Sequence, residues 1–427
     1  MSAKPIDIIK RAPGRQHGAA LLVMLVIMVV GIAAILVNSL TASSVKTARQ
    51  ANTAAALAQA KDALIGYAVT YGDTHSGQMP GYLPCPDPNG NAGVNGEGSS
   101  ETCGNQNVSA IGRLPWKTLG LPTLRDGDGE CLWYAVSGTY KNNPMSSNMM
   151  NWDNNGLFKI LAANGQVITG QTADSQAVAI IFAPGVPLAG QNRAPDGSAP
   201  ICGGNYNASN YLDSDPAISA NNATPSNIAN TISNFFTAGS SAKINDQLIY
   251  ITRDDIFNAI RKRNDFQINS PNNVLYKMTQ AAATCLASAS PRLPAPTQLN
   301  PSNPQDGWVP AASLTSTNCG ATTFNTWKYW WANWGDHLFY DTSQAADVNG
   351  TVYDAEIIFA NPKLAGQNRI LTTDKSNPAN YLDGANLSTF NTGAPDYQMP
   401  PLSNLSNTLN DVLFCVPSGA TSAILCP

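Results

Sequence analysis

The sequence predicts an α+β fold, in which a long N-terminal helix precedes a loop-rich globular head that contains two copies of one module. Three observations lead to this prediction. An uncharged apolar run extends from Ala19 to Val37 and continues into a helical pattern that ends near Tyr71. A sequence repeat links the middle of the chain to its C-terminal part, and eight cysteines all follow the apolar run.

The apolar run has the length that a helix needs to cross the roughly 30 Å hydrocarbon core of a membrane. Lys10, Arg11 and Arg15 precede the run, and no charged residue or proline interrupts it. Positive charge on one flank predicts an N-terminal arm in the cytoplasm and a periplasmic head, as in a single-pass inner-membrane protein. An ordinary signal anchor or an uncleaved secretory signal would produce the same pattern.

The helical pattern continues beyond the apolar run, from Asn38 to about Tyr71. Leu57, Ala60, Leu64, Ala68 and Tyr71 recur at helical spacing and form one apolar stripe. The stripe indicates a helix that packs on the globular head. A membrane anchor followed by a short stalk is the alternative.

The N-terminal segment resembles the class III signal of type IV pilins and type II secretion pseudopilins. A short basic leader ends in Gly18, a small residue follows at Ala19, and the apolar run leads into an amphipathic helix. The resemblance covers about the first seventy residues. It implies that prepilin peptidase cleaves between Gly18 and Ala19 and methylates Ala19, and that the partners are other pilin or pseudopilin subunits and the inner membrane.

The chain departs from the usual pattern of that family at two positions. Major pilins usually begin with Phe and carry Glu as the fifth mature residue, whereas this chain has Ala19 and Val23 there. In lacking this Glu, the chain resembles large minor subunits such as the K-type pseudopilin and the X-type minor pilin. This likeness implies a role in assembly priming or at the filament tip, which would bring the head to the cell surface. The alternative is a signal-anchored, adhesin-like binding protein that does not assemble.

Composition argues against several other functions. Charged residues make up 12% of the chain and hydrophobic residues 43%, which is typical of a loop-rich extracytoplasmic protein. The net charge of −4 gives no reason to expect a nucleic-acid partner. The sequence has no GxSxG, HExxH, P-loop or strand-linked GxGxxG motif, so we predict that the protein is not an enzyme. An anchored periplasmic enzyme is the alternative, because a glycosidase needs only two carboxylates that the fold brings together.

The cysteines predict disulfides, because they all lie beyond the predicted membrane span. A metal site is the weaker alternative, since no CxxC pair is present and histidines number only three. Connectivity does not follow from spacing alone. Proximity favours Cys85–Cys103, Cys285–Cys319 and Cys415–Cys426, which leaves Cys131–Cys202.

The internal repeat has several elements in the same order. AIIFAPGVPLAGQNR at Ala179–Arg193 recurs as EIIFANPKLAGQNR at Glu356–Arg369, and both IIFA runs are typical of core strands. An aromatic stretch precedes each copy: LWY at Leu132–Tyr134 and LFY at Leu338–Tyr340. NYLD follows each copy, at Asn210–Asp213 and Asn380–Asp383. An apolar strand that opens with Asn-Asp comes next: NDQLIY at Asn245–Tyr250 and NDVLFC at Asn410–Cys415. The AGQNR segments could bind a ligand, but their occurrence at the same place in both copies favours a structural role.

These patterns divide the chain into a leader (residues 1–18), a transmembrane and amphipathic helix (19–71) and two α+β modules (72–252 and 253–427). Between the modules, Ile251–Phe266 reads as a helix with Thr252 as its N-cap and Asp255 three residues on. A second helix is expected from Val274 to about Ser288, where it would correspond to the helix of the first module.

Two loops contain oxygen-bearing side chains at spacings that could bind Ca²⁺. The first candidate comprises Asp87, Asn89 and Asn91, and the second comprises Asp126, Asp128 and Glu130. Asn, Asp and Gly also serve ordinary turns, which is the simpler interpretation. We therefore predict no cofactor, with calcium as the one alternative.

Four tryptophans have i, i+3, i+4, i+7 spacing, which places them on one face of a helix: Trp327, Trp330, Trp331 and Trp334. An exposed face of this kind could dock a sugar or a partner subunit. Burial in the core of the second module is the expected outcome, because large apolar faces usually lie inside.

Overall fold

Helix α1 (His17–Thr74) is the longest element, with 58 residues. The computed structural model describes residues 17–89, 96–237, 244–300, 303–343, 347–392, 396–406 and 408–427, and within residues 17–42 it describes the backbone and only the Met28 side chain. Most of the leader and the side chains of the predicted membrane span therefore lie outside the described part. In that part, no helix is both long and apolar enough to cross a membrane.

One face of α1 packs on the head from Thr53 onward, whereas residues 43–52 are exposed. The buried positions include the whole predicted stripe from Leu57 to Tyr71. The helix extends three residues beyond Tyr71. Gly72 then allows the chain to fold back, because a Cβ atom there would lie 2.8 Å from the Gln78 carbonyl oxygen.

Six shorter α-helices follow α1 in the described part of the chain. They are α2 (Arg253–Ile260), α3 (Val274–Ser288), α4 (Ser316–Cys319), α5 (Ala321–Trp334), α6 (Thr372–Lys375) and α7 (Gly384–Thr392). Thr252 caps α2 as predicted: its hydroxyl accepts from Asp255 N, and its own N–H donates to the Asp255 carboxylate. This helix ends at Ile260 rather than near Phe266, and α3 has the expected bounds.

The described strands form two main sheets and two small hairpins. The first sheet contains β1 (Ala110–Arg113), β2 (Trp133–Val136), β3 (Phe158–Leu161), β4 (Val167–Thr169), β5 (Ala177–Ala183), β8 (Ser233–Phe236) and β9 (Gln247–Thr252). The second contains β10 (Thr297–Asn300), β11 (Asn303–Trp308), β12 (Leu338–Asp341), β15 (Ala355–Phe359), β16 (Val412–Val416) and β17 (Ile424–Leu425). The hairpins are β6 (Ser214–Asp215) with β7 (Ala220–Asn221), and β13 (Asp347–Val348) with β14 (Thr351–Val352).

Each of the two sheets contains a row of four antiparallel strands. In the first sheet the row is β1-β2-β5-β9, and in the second it is β11-β12-β15-β16. Helix α1 contacts β5 and β9, and helix α3 contacts β15 and β16. Each row is therefore covered by a helix that precedes it in the chain.

The register shows that the sequence match between the two IIFA runs is displaced by one residue. Phe182 lies between Trp133 and Leu248, but the residue between their counterparts Phe339 and Leu413 is Ile358. Phe182 therefore corresponds to Ile358 and not to Phe359. The first copy has one residue more than the second between IIFA and AGQNR, so counting back from AGQNR also aligns Phe182 with Ile358.

The chain thus combines α-helices and β-sheets, and four disulfides join its cysteines. They are Cys85–Cys103, Cys285–Cys319 and Cys415–Cys426, which proximity favoured, and Cys131–Cys202, the pair that remained.

Candidate functional site

The first AGQNR segment folds around Arg193. Its guanidinium donates to Gly185 O at 2.7 Å, to Asn210 O at 2.9 Å and to Gln191 Oε1 at 2.8 Å. The same group lies over the ring of Tyr211, at 4.8 Å from the ring centre. Arg193 therefore ties the loop after β5 to the NYLD motif.

Arg369 makes the same set of contacts in the second copy. It donates to Asn361 O at 3.1 Å, to Asn380 O at 2.6 Å and to Gln367 Oε1 at 3.2 Å, and it lies 4.2 Å from the ring centre of Tyr381. The donors of both arginines are thus directed at the chain's own carbonyls. These contacts agree with a structural role for AGQNR.

A pair of aspartates closes each of these loops. Asp213 N donates to Asp246 Oδ2 at 2.7 Å, and Asp246 N donates to Asp213 Oδ2 at 3.1 Å. Asp383 N donates in the same way to Asp411 Oδ2 at 2.8 Å. Burial, followed by the charge of Asp383, raises the pKa of Asp411 to about 8, and burial with the charge of Asp213 raises that of Asp246. The pair of Asp383 and Asp411 therefore retains a proton at neutral pH.

The two arginines differ in the acid that they face. Arg193 Nη1 lies 3.1 Å from Glu130 Oε1, which is partly exposed and belongs to the same predicted module. Arg369 Nη1 lies 3.2 Å from Asp153 Oδ2, and both of these side chains are at least 98% buried. Because Asp153 lies in the first predicted module and Arg369 in the second, this ion pair joins the two.

His337 completes that junction. Its Nε2 lies 3.0 Å from Asp153 Oδ2, and its Nδ1 lies 2.7 Å from Ala360 O. Trp152 packs edge-on against Trp334, with ring centres 4.5 Å apart, and against His337. Burial alone would raise the pKa of Asp153, but the adjacent His337 and the charges of Arg369 and Lys375 outweigh it and hold the pKa far below its usual range.

A row of buried carboxylates crosses the second sheet. Asp306 lies opposite Asp341, and Asp341 lies opposite Glu356 on the next strand. Tyr397 donates its hydroxyl to Asp341 Oδ2 at 2.7 Å. Burial, followed by the charges of Asp341 and Asp306, raises the pKa of Glu356 to about 9. The Glu356 side chain is therefore neutral at pH 7.

The residues of the predicted processing site lie at the start of α1. Gly18 and Ala19 have helical backbone, and their side chains are outside the described part. Whether the chain is cut between them remains a prediction.

The first predicted calcium loop uses its acids within the protein. Asp87 is 1% exposed and accepts from Gly98 N and from the Tyr206 hydroxyl, both at 2.7 Å. Asn89 N lies 3.4 Å from the same carboxylate, and Asn91 lies outside the described residues. These contacts fit the turn interpretation.

The acids of the second loop are also engaged. Asp126 Oδ1 accepts from Asp128 N and Glu130 N at 2.9 Å, and its Oδ2 accepts from Gly185 N at 2.8 Å. Asp128 pairs with Arg49 at 2.9 Å. Among the described residues, no group of three or more His, Cys, Asp or Glu side chains could hold a metal ion.

The tryptophan face is divided between the core and the surface. Trp331 and Trp334 are buried at 6% and 2% exposure, and Trp331 Nε1 donates to Met278 O at 3.1 Å. Trp327 and Trp330 are half-buried and pack on each other with ring centres 6.2 Å apart. The four rings therefore do not form one open binding face.

Comparisons with protein families, with curated proteins and with solved structures found no match. Sequence reasoning missed the junction of Asp153 and His337 and the carboxylate row of Glu356. Neither has a local motif, because the residues involved are brought together from distant parts of the chain.

Proposed function

We propose that this chain is a minor pilin-like or pseudopilin-like subunit of a type IV pilus or a type II secretion filament, with a role in assembly priming or at the tip. The division of α1 carries the proposal. The helix is continuous from His17 to Thr74, but its side chains become buried against the head only from Thr53. On the exposed part before Thr53, Arg49 pairs with Asp128 of the head at 2.9 Å. Exposed side chains on this part of the helix, such as Val45 at 46% exposure, are accessible to neighbouring subunits.

The proposed processing follows from the leader. Cleavage between Gly18 and Ala19 would leave an apolar helix with Ala19 at its N-terminus. Val23 cannot neutralise the terminal amine of a neighbour, as the usual Glu would. A subunit of this kind suits a position at the end of a filament rather than one repeated along its length.

We infer that the head is a duplication, with modules over residues 72–252 and 253–427. The common strand order and the matching contacts of Arg193 and Arg369 support this inference. The buried pair of Asp153 and Arg369 would hold the two modules in one orientation while α1 is embedded among other subunits.

Mass spectrometry of the N-terminus tests the processing step. Full-length protein is recovered from membranes with and without prepilin peptidase. We expect a peptidase-dependent chain that begins at N-methylated Ala19. Gly18→Glu should abolish the cut, whereas Gly31→Ala, at a glycine inside the apolar run, should leave it unchanged. An intact leader, or cleavage beyond the apolar run, would refute the proposal.

Cysteine cross-linking tests assembly separately from processing. Val45 is 46% exposed on the unpacked part of α1, whereas Ala60 is fully buried against the head. Val45→Cys should cross-link to other subunits in membranes that contain the whole machine, and Ala60→Cys should not. A processed chain that fails to cross-link from position 45 would support the alternative, an anchored binding protein that does not assemble.

A further inference from the structure

The two modules differ at the outer edge of their last row strand. In the second sheet, β16 is paired on both sides, by β15 and by β17. In the first sheet, β9 corresponds to β16 and pairs with β5. No described strand pairs with the other edge of β9.

The strand with one unpaired edge is also less buried than its counterpart. All five residues of β16 are buried, whereas Leu248, Ile249 and Tyr250 of β9 are only half-buried and Gln247 is exposed. No residue of β9 carries a charge. Charged residues on the strand are a common protection of open edges, so β9 lacks one of the usual barriers to pairing.

The second module shows which backbone groups such an edge presents. Cys426 N donates to Leu413 O at 3.0 Å, so Leu413 directs its carbonyl away from β15. Leu248 and Tyr250 correspond to Leu413 and Cys415 in the repeat, and they present their backbone groups to the outer edge in the same way. A contact of Lys61 supports this orientation of Tyr250, because Lys61 Nζ donates to Tyr250 O at 3.0 Å. The open stretch of the edge ends at this contact.

We propose that the outer edge of β9 binds a short extended segment of another polypeptide chain in antiparallel pairing. The chemistry of the segment follows from β17, the occupant of the equivalent edge: two aliphatic residues, Ile424 and Leu425, between the small buried residues Ala423 and Cys426. In the second module a disulfide from Cys426 to Cys415 holds this strand in place. Tyr250 stands at the position of Cys415, so the first module cannot hold a strand by that bond. This surface does not depend on the proposed filament function.

The first test uses amide hydrogen exchange on the full chain and the peptide TSAILCP, which has the sequence of residues 421–427. We expect the peptide to slow exchange of the amides of Leu248 and Tyr250. A peptide with proline in place of its Ile and Leu cannot donate backbone hydrogen bonds at those positions, and its affinity should be lower by roughly tenfold or more. The proposal is overturned if both peptides act equally, or if protection changes only at β16.

Disulfide trapping gives a second readout that does not depend on exchange rates. Tyr250→Cys reproduces the position of Cys415 and should be captured by the cysteine of TSAILCP. Ile249→Cys is the matched control, because its side chain lies on the opposite face of the strand. Equal capture at positions 249 and 250 would mean that the peptide does not dock in register, and would overturn the proposal.

Discussion

Replacing Arg369 by alanine should destabilise the protein far more than replacing Arg193, although the two residues make the same loop contacts. Each variant loses donors to two equivalent backbone carbonyls and one glutamine, together with a contact to a tyrosine ring. Arg193→Ala also loses a long hydrogen bond of 3.3 Å to Tyr211 O. These shared losses should nearly cancel when the variants are compared. The difference between them then reports the acid that each arginine faces.

The structure sets the size of that difference. The pair of Arg193 and Glu130 is partly exposed on the acid side, and a pair of this kind contributes about 1 kcal/mol or less. Asp153 is 2% exposed, and removing the partner of a buried charge typically costs about 3–5 kcal/mol. We therefore expect Arg369→Ala to lower the free energy of unfolding by about 2–4 kcal/mol more than Arg193→Ala.

Urea denaturation of the full chain in detergent at pH 7 measures this difference. Fluorescence should report it well, because Trp152 and Trp334 lie at the junction. Combining Arg369→Ala with Asp153→Asn should recover part of the loss, since the buried carboxylate that lost Arg369 is then neutral. Equal losses for Arg193→Ala and Arg369→Ala, with no recovery in the double variant, would refute a stabilising ion pair between Asp153 and Arg369.

Three further predictions concern the head. Burial and neighbouring carboxylates raise the pKa of Glu356 to about 9, so the folded chain keeps a proton that the unfolded chain releases above its ordinary pKa of 4.5. The stabilisation from this group is complete below pH 4.5 and is lost as pH rises towards 9, by up to about 1.4 kcal/mol per pH unit. Glu356→Gln should remove this contribution to the pH dependence of unfolding in urea titrations from pH 5 to 9. An unchanged pH profile would contradict a buried neutral acid. Trp331→Ala should lower the free energy of unfolding by about 3–5 kcal/mol, measured by thermal or urea unfolding. Tyr329 is 45% exposed, so Tyr329→Ala should lower it by about 0.5 kcal/mol or less. Equal effects would contradict the burial of Trp331. Replacing Cys415 and Cys426 together by serine should cost about 2–4 kcal/mol and speed amide exchange in β16, and unchanged exchange there would show that β17 stays paired without its disulfide.

Elements with a local signal were predictable from the sequence. The stripe of α1, the cap of α2 at Thr252 and the bounds of α3 all depend on residues within a few positions of one another. The repeat predicted that AGQNR has a structural role, and the contacts of Arg193 and Arg369 agree with it. Helix spacing predicted the Trp face, but the division between buried Trp331 and half-buried Trp327 depends on neighbours that are distant in sequence.

The register of the repeat was misjudged from the letters alone. Matching one IIFA to the other equates Phe182 with Phe359, yet the strands on either side place Ile358 at that position. Both aliphatic and aromatic residues fit a buried strand, so the letters do not fix the register. The arginine contacts and the hydrogen-bond ladders do, because they tolerate no shift of one residue.

The sequence by itself predicted the helical stripe of α1, the repeated segments and the favoured cysteine pairs, since periodicity, repetition and proximity are properties of the chain. Only the tertiary structure decided that Asp153 meets Arg369 and His337, that Glu356 is buried beside other acids, and that β9 has an open edge where β16 has none. These features join residues that are far apart in sequence, and their energies depend on burial. Burial is set by everything that packs around a residue and not by the residue itself.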